Sequence, residues 1–303
     1  MQPLAETISA FASIALVGIC KNAGKTTVLN ALLSILNRQG VTAAITSVGR
    51  DGEPVDVVTG TSKPGIWVRR GSLFVTASGL LRACDVTREI IGTTGFYTPL
   101  GEVALVRALS DGVVQLAGPS VNAQVKKIVA ALFQHGADRV VVDGAMDRKT
   151  FGSPAICDAV ILCSGASASS DMETVVRNTA YACELLTLPK CDPENQKRRI
   201  VPGAVTDRAL REMKPSAGDE VVAQTGGHFL LDREPYQRWR ERGVRFSVEK
   251  ASTLCCVCVN PFSATGTSFD ADVFERRVRD AAPVPVVNVM RHGERWGGTF
   301  LSF

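Results

Sequence analysis

At 303 residues, with 45% hydrophobic and 21% charged, the chain can bury a sizeable core in one large domain or two ordinary ones, and it reads as soluble and globular. Against 30 Asp and Glu stand 34 Lys and Arg, a net charge of +4 with the signs interspersed, so no nucleic-acid footprint is expected. The apolar runs are short and broken by charge or glycine, and the opening MQPLAETISAFA has no basic region; this argues against a membrane span or an export signal and for the cytoplasm.

In chain order, SIALVGI (13–19) reads as a strand and TTVLNALLSILNRQG (26–40) as a helix, with Val28, Leu29, Leu32, Leu33 and Leu36 on one face and Gly40 as its stop. TAAITSVG (42–49) is the next strand. RDGEPVDVVTGTSKPGIWVRRGS (50–72), with four glycines and two prolines, is a connection of a length that is usually functional. LFVTAS (73–78), EVALVRAL (102–109) and VVQLAG (113–118) are further strands, and VNAQVKKIVAALFQHG (121–136) is a helix with Ser120 as its expected N-cap. RVVVDG (139–144) and AVILCSG (159–165) are continuous apolar runs of the kind buried on both faces.

Around LTLPKCDPENQKRRI (186–200) the composition turns to proline and charge, which suggests a boundary between a nucleotide-binding domain, 1–190, and a smaller C-terminal α/β domain, 198–303. In the second part IVPGAV, EVVAQTG, LCCVCVNP and VPVVNVM read as strands and DADVFERRVRDAA as a helix. The alternation predicts an α/β protein with three αβα layers around a mostly parallel sheet. Nine scattered cysteines and three histidines do not suggest a metal centre, and Cys255, Cys256 and Cys258 read as buried strand residues.

The strand-to-helix join CKNAGKTT carries the chemistry. A phosphate loop needs N–H groups pointing into one concavity, glycine where the chain meets the oxygens, a lysine for the β and γ phosphates and a hydroxyl for Mg²⁺. Gly24, Lys25 and Thr26 supply these last three, so Lys21, Asn22, Ala23, Gly24, Lys25, Thr26 and Thr27 form the expected nucleotide site, at a positive helix end. The pattern departs from Gly-x-x-x-x-Gly-Lys-[Ser/Thr] in one place, where Ile19 stands for the first glycine and Gly18 precedes it. The alternative is a plain helix start with Thr26 or Thr27 as cap. Asp143, after three valines and before a glycine, is the expected Mg²⁺ carboxylate together with Thr26; the alternative is a turn or cap aspartate. Asp147 is a weaker choice that can instead pair with Arg148 or Lys149. Asp51, opening the long connection, matches by position a carboxylate that orients water or metal in P-loop proteins, with an unpaired loop charge as the alternative. Lys63, Arg69 and Arg70 are either phosphate-closing cations or a solvated basic loop. No Asn-Lys-x-Asp signature of guanine recognition is present, so ATP is the expected nucleotide, and Asn260 and Asn288 at strand ends are candidates to lie near it.

Taken together, GICKNAGKTT, TSVGRDGEPVDVVTGT, YTPLGEVALVRALSDGVVQLAGPS, VVVDGAMDRK, GAVTD and VNPFS resemble the smaller subunit of the lysine 5,6-aminomutase reactivase, over nearly the whole chain. More broadly the loop is similar to that of the dethiobiotin synthetase-like P-loop class, although Lys21 stands one position nearer the glycine than the extra lysine of such loops. The resemblance implies an ATP- and Mg²⁺-dependent factor. With a larger MutS-like subunit, such a factor restores an adenosylcobalamin-dependent aminomutase whose cofactor has been damaged. It places Gly24, Lys25 and Thr26 at nucleotide and metal and Asp143 as the Walker B carboxylate, with Lys25, Asp143 and Asp51 as the expected catalytic set. A competing reading is a ligase similar to dethiobiotin synthetase, using ATP to activate a carboxylate; it needs a substrate pocket beside the γ-phosphate, for which the second domain is one candidate source. A third is a nucleotide-binding regulator with little hydrolysis.

Overall fold

The computed structural model describes residues 2–51, 65–144, 156–263, 266 and 268–292. Lys63 and Asp147 lie outside them, and for Asp51 the description extends to the backbone alone. The elements in order are α1 (Gln2–Ser9), β1 (Ser13–Gly18), α2 (Lys25–Arg38), β2 (Ala43–Ser47), β3 (Arg50–Asp51), β4 (Ile66–Val68), β5 (Leu73–Ala77), β6 (Arg88–Thr98), β7 (Gly101–Ala108), β8 (Gly112–Val114), β9 (Leu116–Ala117), α3 (Asn122–Gln134), β10 (Arg139–Asp143), β11 (Ala159–Gly165), α4 (Met172–Leu186), β12 (Arg198–Ile200), α5 (Asp207–Met213), β13 (Glu220–Ala223), α6 (Arg233–Glu241), β14 (Arg245–Val248), β15 (Leu254–Asn260), α7 (Ala271–Ala281) and β16 (Val286–Asn288).

A nine-stranded sheet in the order β16-β15-β11-β1-β10-β2-β5-β7-β6 organises the chain. From β16 to β5 all neighbours run parallel, and the β6–β7 hairpin closes one side antiparallel. Every residue of β2, β5 and β11 is buried, which requires cover on both faces. One core joins Leu16, Ile45, Phe74, Val141 and Ile161 to α1 and α2, and the other joins Val17, Val75, Val142 and Leu162 to α3, α4 and α7. The chain is thus α/β with a large, mostly parallel sheet between helical layers. Among the described residues no helix is long and apolar enough to cross a membrane.

The segment expected as a C-terminal domain, 198–303, is divided. Only the three-stranded parallel sheet β12-β13-β14 with α5 and α6 forms a separate unit, around Phe229, Tyr236, Trp239 and Phe246. β15 instead pairs with β11, and β16 with β15, so LCCVCVN and VVN complete the large sheet. The small unit leaves the sheet after α4 and returns at Thr253, whose carbonyl accepts from Val160 N–H at 2.8 Å near the start of β11. It therefore hangs from the amino edge of the sheet. The 15 residues of α4 separate that edge from the carboxyl edge by roughly 22 Å at 1.5 Å per residue.

Three local readings also change. Val121, not Ser120, stands at the N-cap of α3, with no side-chain cap bond. VVQLAG is not a strand of the main sheet, because β8 and β9 pair with β4 and β3 outside it. The long connection contains a strand, β4, where apolar Ile66 and Val68 are fully buried.

These two short ladders follow one another along residues 112–117. Arg50 and Asp51 face Ala117 and Leu116, and Ile66, Trp67 and Val68 face Val114, Val113 and Gly112, with Gln115 the one residue between. Asp51 and Ile66 thus flank a single position on the opposing strand and lie roughly 7 Å apart along the strand direction. Excising residues 52–64 should leave Gly65 opposite Gln115 in one continuous strand. Because closing a loop of this size changes the free energy only slowly with length, the excised chain is expected to melt within about 5 °C of the parent by circular dichroism. A loss of cooperative melting would show that the excursion itself holds the layer together.

Candidate phosphate-binding site

The parallel register brings five strand ends to one edge. Leu16 pairs with Asp143, Asp143 with Ser47, Gly18 with Cys163, and Gly165 with Asn260, so the loop that leaves β1 emerges among the carboxyl ends of β2, β10, β11 and β15. In open parallel sheets this is the edge at which ligands gather.

Residues 19–24 climb from β1 to α2. Ile19, in place of the expected first glycine, continues the sheet by donating its N–H to Cys163 O at 3.0 Å, so the strand is extended by one residue before the loop turns. Asn22, at φ 61°, and Gly24, at φ 93°, then make the left-handed turns that point successive N–H groups inward. Gly24 is the N-cap of α2 and offers no side-chain cap, while its carbonyl accepts the first helical bond from Val28 N–H at 3.0 Å. Lys25, Thr26 and Thr27 are therefore first-turn helical residues; the reading of either threonine as cap is corrected by the geometry. A Cβ on Gly24 would stand 3.0 Å from Asn260 Nδ2, and one on Gly165 would stand 3.2 Å from Ala23 O and 3.1 Å from Asn260 O. The loop rests on those two strand ends with no room for added atoms.

Asp143 is the last residue of β10 and 1% exposed. Its carbonyl accepts from Val48 N–H at 2.9 Å, and Gly144 N–H donates to Leu16 O at 2.9 Å, so it sits in the ladder and is neither a cap nor a turn residue. The Cys163 thiol ties the pieces together. Burial holds its pKa far above the ordinary thiol range, Lys25 pulls it down and Asp143 pushes it up, which places the lysine, the aspartate and the sulfur in one neighbourhood. A thiol held this high stays protonated and unreactive. Thr26 and Asp143 are hard oxygen donors at this edge, the donor chemistry that suits Mg²⁺.

The other candidates fall at different places. Lys21 is exposed on the loop. Asp51 lies in β3, beside α2's side of the sheet, with its backbone opposite Leu116. Arg69 and Arg70, weighed as phosphate-closing cations, are exposed in a cleft with Asn37, Gly40 and Val41, at the far end of α2. The 14 residues of α2 hold them roughly 20 Å from Lys25. Of the two asparagines, Asn260 touches the loop; its Oδ1 accepts from Phe262 N–H at 3.1 Å. Asn288, 3% exposed, ends the next strand, its Oδ1 accepting from Met290 N–H at 3.0 Å. The small unit lies toward the opposite edge, whereas β15, from the same 198–303 segment, brings Asn260 to the loop.

Sequence reasoning missed Cys163 and Gly165, which end an apolar run that, like RVVVDG, terminates in a small polar group and glycine. It also missed Gly118, where a Cβ would lie 2.0 Å from Ser47 O; only glycine lets the chain cross the end of β2 on its way to α3. Cys255 and Cys258 have C-x-x-C spacing, but three residues of extended strand span roughly 10 Å, beyond the reach of a disulfide. Among the described residues no group of three or more His, Cys, Asp or Glu is placed to hold a metal ion. No family model and no curated protein matches the chain.

Proposed function

We propose that the chain is a P-loop nucleoside triphosphatase that binds Mg·ATP at residues 21–27 and serves as the smaller subunit of a reactivating factor for an adenosylcobalamin-dependent aminomutase. The observation that carries the nucleotide part is the start of α2: a left-handed glycine without a side-chain cap, followed by Lys25, at the sheet edge where Asp143 ends its strand. Backbone N–H groups and the helix dipole meet phosphate charge there, and Lys25 adds a full positive charge. Bound Mg²⁺ would be held by the Thr26 hydroxyl and the Asp143 carboxylate and would neutralise charge on the transferred phosphoryl group. Asp51 is the residue to orient water. The partner part rests on the resemblance in CKNAGKTT, SVGRDGEP and LAGPS. Binding and hydrolysis of a nucleotide bias a two-state element, which can open a partner that has trapped a damaged cofactor.

The test mixes the chain, a MutS-like subunit if one is encoded nearby, and an aminomutase inactivated by turnover. Activity is expected to return with ATP and not with a non-hydrolysable analogue. Metabolite-stimulated hydrolysis by this chain alone, with no recovery, would favour the ligase reading, and tight binding without turnover in either setting the regulator.

A further inference from the structure

We infer that Asn30 is a positioning residue that ties the phosphate-binding end of α2 to β4, so that occupancy of the loop is felt in the β4–β8 layer through one side chain. This rests on residues 21–27 being a nucleotide site. Asn30 stands in the middle of the buried face of α2, between Leu29 and Ala31, and is 5% exposed. A polar group at such a place needs partners. Its Nδ2 donates to Gly65 O at 2.9 Å and its Oδ1 accepts from Trp67 N–H at 3.0 Å. One amide thus pairs with Gly65, just before β4, and with Trp67 within it, as a neighbouring strand would, on the edge that β8 leaves open.

The geometry makes the link stiff at both ends. Asn30 lies five residues past Lys25, roughly 7.5 Å along the helix axis, and Val28 and Leu29 between them are 1% and 0% exposed. On the other side Ile66 and Val68 are fully buried, and a Cβ on Gly65 would come within 2.7 Å of Val113 on β8. Any displacement of the first turns of α2 on binding phosphate is therefore passed to Gly65 and Trp67 by two hydrogen bonds, with no mobile side chain between. A leucine would fill the same volume but leave both backbone groups without a partner. A purely structural role for Asn30 has a different signature, in which its loss lowers stability and leaves the response of β4 to nucleotide unchanged.

The experiment measures amide hydrogen exchange of the peptide covering 65–68 in the full chain, with and without Mg²⁺ and a non-hydrolysable ATP analogue, for the parent, Asn30→Ala and Asn30→Asp; calorimetry gives the affinity of each. In the parent the analogue is expected to change exchange at Trp67 by about tenfold. In Asn30→Ala the change should fall below about twofold while affinity stays within about threefold of the parent. Asn30→Asp keeps the acceptor for Trp67 N–H and loses the donor to Gly65 O, so an intermediate change is expected, and this variant carries the test if the alanine chain does not fold. A parent-like response in either folded variant overturns the inference, as does a parent chain that binds the analogue without any change at 65–68. A parent that shows no calorimetric binding overturns the nucleotide reading itself, and the inference with it.

Discussion

Lys25→Ala is expected to weaken binding of Mg·ATP by about 100–1,000-fold in a calorimetric titration. A unit charge some 4 Å from a phosphate oxygen near a protein surface is worth about 4 kcal/mol, and each 1.4 kcal/mol is a factor of ten in affinity. The helix dipole and the loop N–H groups remain in the variant, so binding should be weakened and not replaced by another mode. Lys25 is only partly buried, and the fold of α2 depends on Leu29, Leu32 and Leu33 beneath it, so the melting temperature should stay within a few degrees of the parent. Lys21→Ala is the internal comparison: an exposed loop cation, screened by water and salt, should cost less than about tenfold. Equal affinity for the parent and Lys25→Ala would end the phosphate-loop reading.

Asp143→Asn should separate binding from turnover. The substitution keeps shape and removes the charge, and the ladder bonds of residue 143 run through its backbone, so β10 should pair as before with β1 and β2. A metal held by a hydroxyl and a carboxylate loses its one anionic protein ligand when the carboxylate becomes an amide. Mg²⁺-dependent phosphate release is expected to fall about 100-fold, and nucleotide affinity measured without Mg²⁺ to change less than about threefold. Full turnover in Asp143→Asn would remove this residue from the site and leave the nucleotide reading standing on Lys25 alone.

Much of the candidate site was legible because its residues are contiguous. Residues 19–27 lie on one stretch of chain, and a strand, a glycine-containing turn and an amphipathic helix each leave a local signature. Asp143 was legible as a strand end for a related reason, since an acid between three valines and a glycine marks where an apolar run stops. Asn260 and Asn288 could be named as strand ends, but their ranking depended on which strand neighbours β11, and no local pattern records that. The amide of Asn30 was silent in sequence, because a single asparagine in an apolar helix face looks the same whether it meets solvent or a strand edge. Arg69 and Arg70 are exposed at the far end of α2 from Lys25, which agrees with the solvated basic loop and not with phosphate-closing cations.

By itself, then, the sequence determined the class of fold, the parallel strands that alternate with helices, and the helix start that presents Gly24, Lys25 and Thr26, because hydrophobic period, glycine placement and helix capping act over a few residues. Tertiary structure alone decided that β15 and β16 belong to the large sheet and that the small α/β unit hangs from the edge opposite residues 19–24. It also decided that residues 50–51 and 66–68 pair with β9 and β8 outside the large sheet. Each of these depends on pairing between segments tens to hundreds of residues apart, where a buried Val- and Cys-rich strand fits any parallel neighbour by composition, and only the simultaneous packing of both faces selects one.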